Sequence, residues 1–331
     1  MRQDEITTYR LPTIHLEGMV VMEQTLVKEI EALKVKHNAV ILAHNYEPGP
    51  IQDLADFLGD SLALARWAQK STAEVLVLAG VYFMAETASI LCPDKTVLIP
   101  DSGAGCSLAD TITPEKLISW KKQYPDAMVV SYVNTSAAIK ALSDYCCTSS
   151  NAVKVVESID PDRDILFLPD FFLGSHVVRM TGRKNIHVWN GECHVHAAIE
   201  NEDMVNKVRR HPGAELLVHP ECGCTTRALA IPPKEATSRV LSTDGMLFYA
   251  RTSPADTFVV ATEVGLLHRL RKENPDKTFL AAHDDALCPF MNMISLEKIR
   301  DSLRYGRHPV KVASALRTKA LIPLERMVAV G

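Results

Sequence analysis

The sequence contains no apolar run approaching the roughly 18 residues that a membrane-crossing helix needs. It has no basic excess: the formal net charge is −4, which leaves no positive face for a nucleic-acid backbone. Low-complexity tracts and blocks of like charge are missing, which argues against a disordered tail. The opening stretch MRQDEITTYRLPTIHLEG lacks the basic segment and apolar run of a secretory leader, so a cytoplasmic location is expected. That compartment keeps thiols reduced, so the eight cysteines are not expected to form a disulfide framework. They are read instead as packing residues, metal ligands or nucleophiles. What is present is ordinary: 331 residues, 47% apolar and 23% charged, enough for a full core and about two domains by length.

Self-similarity is the more informative property. The runs NAVILAHNY (38–46), AMVVSYVNT (127–135) and AELLVHPEC (214–222) read as buried strands ending in polar residues. A second set, EVLVLAG (74–80), DILFLPD (164–170) and TFVVATE (257–263), follows in the same order. A third comprises KTVLIPDS (95–102), KNIHVWNG (184–191) and KTFLAAHD (277–284). The first-set cores begin at Val40, Val129 and Leu216, 89 and 87 residues apart, and Pro-Asp-Lys-Thr recurs at 93–96 and 275–278. Short apolar runs separated by helix-length segments indicate parallel strands in βαβ units. The fold class expected is α/β, one parallel-sheet unit repeated three times, with the units packed about a pseudo-threefold axis and an active site on that axis. The expected divisions are an N-terminal extension with an amphipathic helix (1–37), repeats at 38–126, 127–213 and 214–310, and a C-terminal segment (311–331).

Two further features keep the phase of the repeat. Polar turns at 59–68, 148–157 and 242–251 place Ser61, Ser149 and Thr243 at expected helix starts, where a hydroxyl caps amides and an anion can be received. A cysteine follows each third strand: Cys106, Cys193 and Cys288. Ligands in α/β sheets gather beyond the carboxyl ends of strands. Three units packed with those ends inward would therefore bring three thiols to one point, with a fourth coordination position open. All-sulfur ligation suits zinc or an iron–sulfur cluster. Hydrolytic zinc favours histidine and carboxylate, so a [4Fe–4S] cluster with one open iron acting as Lewis acid fits better.

Around this point the first strands deliver His44, Tyr132 and His219 in equivalent positions, and Tyr46, Asn134 and Glu221 two residues on, hence on the same face. These offer acids, bases and amide donors in one pocket, and His196 lies three residues beyond Cys193. Cys92, Cys146 and Cys147 have no counterparts, and Cys222 and Cys224 are separated by one residue, a spacing expected to strain a disulfide.

The strings AHNYEPGPIQDLADFLGDSLALA, SYVNTSAAIKA, CCTSSNA, GECHVHAAI, HPECGC and CPFMNM together resemble the quinolinate synthase family over about residues 38–305, in the subgroup carrying HPECGC. The resemblance implies three similar three-layer αβα sandwich domains related by pseudo-threefold symmetry, and an oxygen-sensitive [4Fe–4S] enzyme of NAD biosynthesis, a transferase that condenses iminoaspartate with dihydroxyacetone phosphate to quinolinate, phosphate and two waters. It implies cluster ligation by Cys106, Cys193 and Cys288. Substrate contacts would come from His44, Ser61, Tyr132, Asn134, Ser149 (alternatively Ser150), His196, His219, Glu221 and Thr243. Tyr46, Glu221 and His219 would be catalytic. It further implies a functional link to an aspartate oxidase or dehydrogenase that supplies iminoaspartate, and no nucleic-acid or membrane partner. Rival readings are an aconitase-like iron–sulfur hydro-lyase and a zinc or redox-sensing module built on Cys222 and Cys224.

Overall fold

The computed structural model, which describes residues 13–232 and 235–330, turns all nine apolar runs into strands. The first unit contains β1 (Ala39–His44), β2 (Phe57–Gly59), β3 (Val75–Ala79) and β4 (Thr96–Leu98). The second contains β5 (Met128–Tyr132), β6 (Tyr145–Cys147), β7 (Ile165–Leu168) and β8 (Ile186–Val188). The third contains β9 (Glu215–Val218), β10 (Ser238–Val240), β11 (Thr257–Ala261) and β12 (Thr278–Ala281). Each unit forms one four-stranded, wholly parallel sheet, and the three orders are equivalent: β2-β1-β3-β4, β6-β5-β7-β8 and β10-β9-β11-β12. The central strands are buried along nearly their whole length, as parallel sheets covered on both faces require. Residues 1–12 of the expected extension lie outside the described residues.

The edge strands β2, β6 and β10 were not among the expected runs. Each has only three residues, too few for a periodic signal, and each exists by pairing with the first strand of its unit. The register explains how the strand tips are aligned. His44 stands opposite Gly59 and Tyr132 opposite Cys147, and Ser61 and Ser149 follow two residues after those partners. The amides just beyond extend both ladders, Asn45 N–H to Gly59 O and Val133 N–H to Cys147 O. In the third unit that position is Pro220, which has no N–H, so the ladder stops at Val218 opposite Val240.

The helix starts correct one expectation: Ser61, Ser149 and Thr243 are not caps. A cap residue must precede the helix in extended backbone. Asp60 (φ −75°, ψ 175°) does so and accepts from the Leu62 and Ala63 amides, and Ser242 (φ −66°, ψ 168°) accepts from Gly245. Ser61 and Thr243 are the first residues of helices Ser61–Lys70 and Thr243–Thr252, with their hydroxyls spared for other work. In the second unit the helix begins only at Ala152, and Ser149 lies in the turn before it.

A second correction concerns Cys222 and Cys224, which are joined by a disulfide. The chain turns tightly here, with the Thr225 amide donating to Cys222 O, and this brings the two Cα atoms to 5.1 Å, inside the usual range for a bridge.

Terminal helices tie the units together. The helix Thr13–Lys36 packs Leu26 and Ile30 inward, lies against helix Leu296–Tyr305 of the third unit and touches β1. At the other end, helix Ser314–Val330 lies on elements of the first two units. Its carbonyls at Val328 and Met327 accept from Arg66 (2.7 Å) and Asn151 (2.9 Å). Gly265 permits a close approach between the first and third units, since a Cβ there would sit 2.6 Å from Tyr46 O. No helix among the described residues is long and apolar enough to cross a membrane.

Candidate active site

One cavity lies where the carboxyl ends of the three sheets meet. Its lining includes His44, Tyr46, Ser61, Cys106, Tyr132, Asn134, Ser149, Cys193, His196, His219, Glu221, Thr243 and Cys288, the expected cluster ligands and site residues apart from the alternative Ser150. Ser150 is exposed, its hydroxyl bonded to Thr148, and it is not part of this wall.

The three cysteines share a local geometry. Each sits just ahead of a short helical turn, and the backbone amides two and three residues on favour its anionic form. These are Leu108 and Ala109 for Cys106, Val195 and His196 for Cys193, and Phe290 and Met291 for Cys288. Burial raises all three thiols, that of Cys106 to about 12. The Cys106 thiol is pushed up further by Cys288, and that of Cys193 by Cys106, which reflects their proximity. Amides aimed at sulfur stabilise a thiolate once a metal replaces the protons. Three free thiols, six amide donors and one shared cavity fit an iron–sulfur cluster held from three sides. Cys193, His196 and Glu221 also present ligand atoms within 4.8 Å of one another, enough for a single metal ion, but that arrangement leaves two of the three cradled sulfurs unused.

Opposite the sulfurs, the strand tips form a second wall. His44 Nδ1 accepts from the Tyr46 amide (3.2 Å) and His219 Nδ1 from the Glu221 amide (3.4 Å). With Nδ1 so occupied, the neutral ring carries its proton on Nε2. His219 thus donates to Ser149 Oγ at 3.2 Å. Burial keeps all three imidazoles neutral: His44 and His196 are pushed down to about 3, and His219 well below its usual range, with neighbouring histidines adding to the effect at His44 and His219. His196 stacks on His219, with ring centroids 5.0 Å apart.

Glu221 is buried 3.1 Å from His196 Nδ1. Burial raises its carboxyl to about 7, and a hydrogen bond from Tyr132 draws it back. The Tyr46 hydroxyl lies 2.6 Å from Thr262 Oγ1. Asn134 points an unpartnered Oδ1 into this region, while the buried Lys140 clamps the carbonyls on either side of it, Val133 O at 2.8 Å and Thr135 O.

Several members of the site were missed. Asp60 lines the cavity as the helix cap, and by bonding the Leu62 and Ala63 amides it removes them as anion donors. Burial, then the charge of Asp244, raises its carboxyl. Glu263, raised by burial to about 7, accepts from the amides of Gly265 (2.6 Å) and of the cluster cysteine Cys288 (3.0 Å). Both Thr262 and Glu263 follow β11, so extending the strand-tip comparison to the second set of strands would have found them. No lysine or arginine is among the described residues of the lining. An anion here meets hydroxyls, imidazole N–H groups and amides rather than fixed cations.

The sequence was compared with known proteins. A family model described as "Quinolinate synthetase A protein" matches residues 28–329. A quinolinate synthase of Thermus thermophilus is 53% identical over 308 residues, covering 93% of this chain and 98% of that protein. The Mycobacterium tuberculosis quinolinate synthase is 51% identical over 334 residues, covering 99% and 95%. That of Mycobacterium leprae is 53% identical over 309 residues, covering 92% and 87%.

Proposed function

Because the chain belongs to the quinolinate synthase family, we propose that it condenses iminoaspartate with dihydroxyacetone phosphate to quinolinate, phosphate and two waters, as a cytoplasmic transferase of NAD biosynthesis. We assign a [4Fe–4S] cluster to Cys106, Cys193 and Cys288, and repeat boundaries at 38–126, 127–213 and 214–310. The observation that carries this reading is the recurrence, in each of three units, of a free cysteine that lines one shared cavity beside backbone amides favouring its thiolate.

When bound, the cluster supplies a Lewis acid at its open iron. The chain's own residues bind and orient. The hydroxyls of Ser61, Ser149 and Thr243 take the triose phosphate, because the helix amides behind Ser61 are already used by Asp60. The Nε2–H groups of His44 and His219, the Tyr132 hydroxyl and Asn134 orient the iminoaspartate carboxylates. Glu221, raised to about 7, exchanges a proton near neutral pH and is the base that takes a substrate proton. Tyr46 is the acid that gives one to a departing hydroxyl. Burial of these groups shields a hydrolysable imine from water, and a hinge motion of one unit would admit the substrates.

The imine's instability requires an enzyme that makes it on demand, an aspartate oxidase or dehydrogenase. The disulfide between Cys222 and Cys224 leaves neither sulfur as a thiolate for zinc, which weakens the zinc form of the binding-module alternative. Anaerobic turnover of both substrates by the iron- and sulfide-reconstituted protein tests the proposal. Quinolinate formation is expected. A protein that stays colourless after iron and sulfide treatment, or a cluster-loaded one that makes no quinolinate, overturns it.

A further inference from the structure

Just past the three cysteines, the units touch one another through a second set of side chains. Ser107 follows Cys106 by one residue, His194 follows Cys193 by one, and Phe290 follows Cys288 by two, and all three line the cavity. Ser107 Oγ lies 2.6 Å from His194 Nδ1, which joins the first unit to the second. The His194 ring meets the Phe290 ring edge-on, with centroids 6.2 Å apart and planes at 81°, which joins the second unit to the third. A Cβ on Gly105 would stand 3.7 Å from the Phe290 ring, so the third unit closes back on the first at the residue before Cys106. The contacts complete a circuit in which each pair of units meets once.

Exposure places this circuit in the cavity. His194 is exposed and Ser107 and Phe290 are half-buried, as are the three cysteines. His44, His196, His219 and Glu221 at the strand tips are buried. The circuit therefore stands toward solvent and the strand tips stand away from it. None of its members has a part in the reaction assigned above.

We propose that Ser107, His194 and Phe290 form a shielding ring that closes the solvent end of the cavity and limits the access of water, chelators and thiol reagents to Cys106, Cys193 and Cys288. The packed surroundings of a metal site control solvent entry, and solvent exposure is one of the factors that set how an iron–sulfur cluster behaves. The ring is a finding about side chains, and it rests on the cluster assignment above only for what the sulfurs hold. Each unit supplies one member, so no unit can build the ring alone. Parting any two units breaks one of its contacts, and the sulfurs are covered only while the three units stay together.

The test opens the ring at two different members. In metal-free protein, alkylation of Cys106, Cys193 and Cys288 by N-ethylmaleimide, followed by peptide mass spectrometry, should be about tenfold faster in His194→Ala and in Phe290→Ala than in the parent. The wholly buried Cys146 and Cys147 should label at their parental rate. His194→Phe keeps a ring in place without the hydrogen bond and should restore most of the protection. In protein reconstituted and held without air, iron loss to a chelator should be about tenfold faster in His194→Ala, while kcat of the fully loaded variant stays parental. Parental alkylation in both alanine variants, equal acceleration in His194→Phe and His194→Ala, an equal rise at Cys146 and Cys147, or unchanged iron loss each overturn the shield. A parent that takes up no iron overturns the cluster assignment instead, and the alkylation comparison still decides whether the ring protects the sulfurs.

Discussion

The side-chain amide of Asn45 donates to Thr243 Oγ1 and to Asp244 Oδ1, both at 2.9 Å, while its carbonyl accepts from Arg269 at 2.7 Å. Asn45 is fully buried and belongs to the first unit, whereas its three partners belong to the third. This bond aims the Thr243 hydroxyl into the cavity. Removing one partner of a buried hydrogen bond costs about 1–3 kcal/mol. Asn45→Ala should therefore raise KM for the triose phosphate about tenfold, with iron content unchanged, in anaerobic steady-state kinetics. An unaltered KM would detach Thr243 from substrate binding.

Lys140 is wholly buried and holds the carbonyls flanking Asn134 while lying 5.4 Å from the Phe83 ring centroid. Lys140→Met fills similar space but strands two carbonyls, so denaturant unfolding should show a loss of about 2–4 kcal/mol. The turn carrying Asn134 should loosen too, raising KM for iminoaspartate. A variant as stable as the parent contradicts the clamp.

Glu263 gives a pH dependence with a definite sign. Its carboxyl rises from 4.5 to about 7 on folding, first because of burial. The folded form therefore retains a proton that the unfolded chain releases, and its stabilising contribution, present below pH 4.5, is lost as pH rises toward 7. In the metal-free protein, the stability of Glu263→Gln relative to the parent should grow by about 1.4 kcal/mol per pH unit between those limits and level off above them. Chemical denaturation at a series of pH values checks this, and a flat difference refutes it.

The repeat was legible because strand tips, turns and cysteines kept one phase, and a register of residues is what a parallel sheet preserves. Thus the equivalence of His44, Tyr132 and His219 could be read from spacing and is matched by the pairing of their strands. What escaped depended on three-dimensional pairing. The edge strands are too short to have a period of their own. The capping roles of Asp60 and Ser242 are decided by backbone angles one residue before the expected start. Asn45 and Thr262 matter through partners about 200 residues away or in another unit, which no local pattern encodes. The Cys222–Cys224 bridge depends on a tight turn that spacing alone argued against.

The account is tested most directly by measuring iron and acid-labile sulfide after anaerobic reconstitution of the parent and of single cysteine variants. The parent should hold about four irons and four sulfides per chain. Cys106→Ala, Cys193→Ala and Cys288→Ala should each lose the cluster, and Cys222→Ser should retain it. Full iron and sulfide in any of the first three variants, or stoichiometric zinc with no iron in the parent, would contradict the claim that three units jointly hold one cluster.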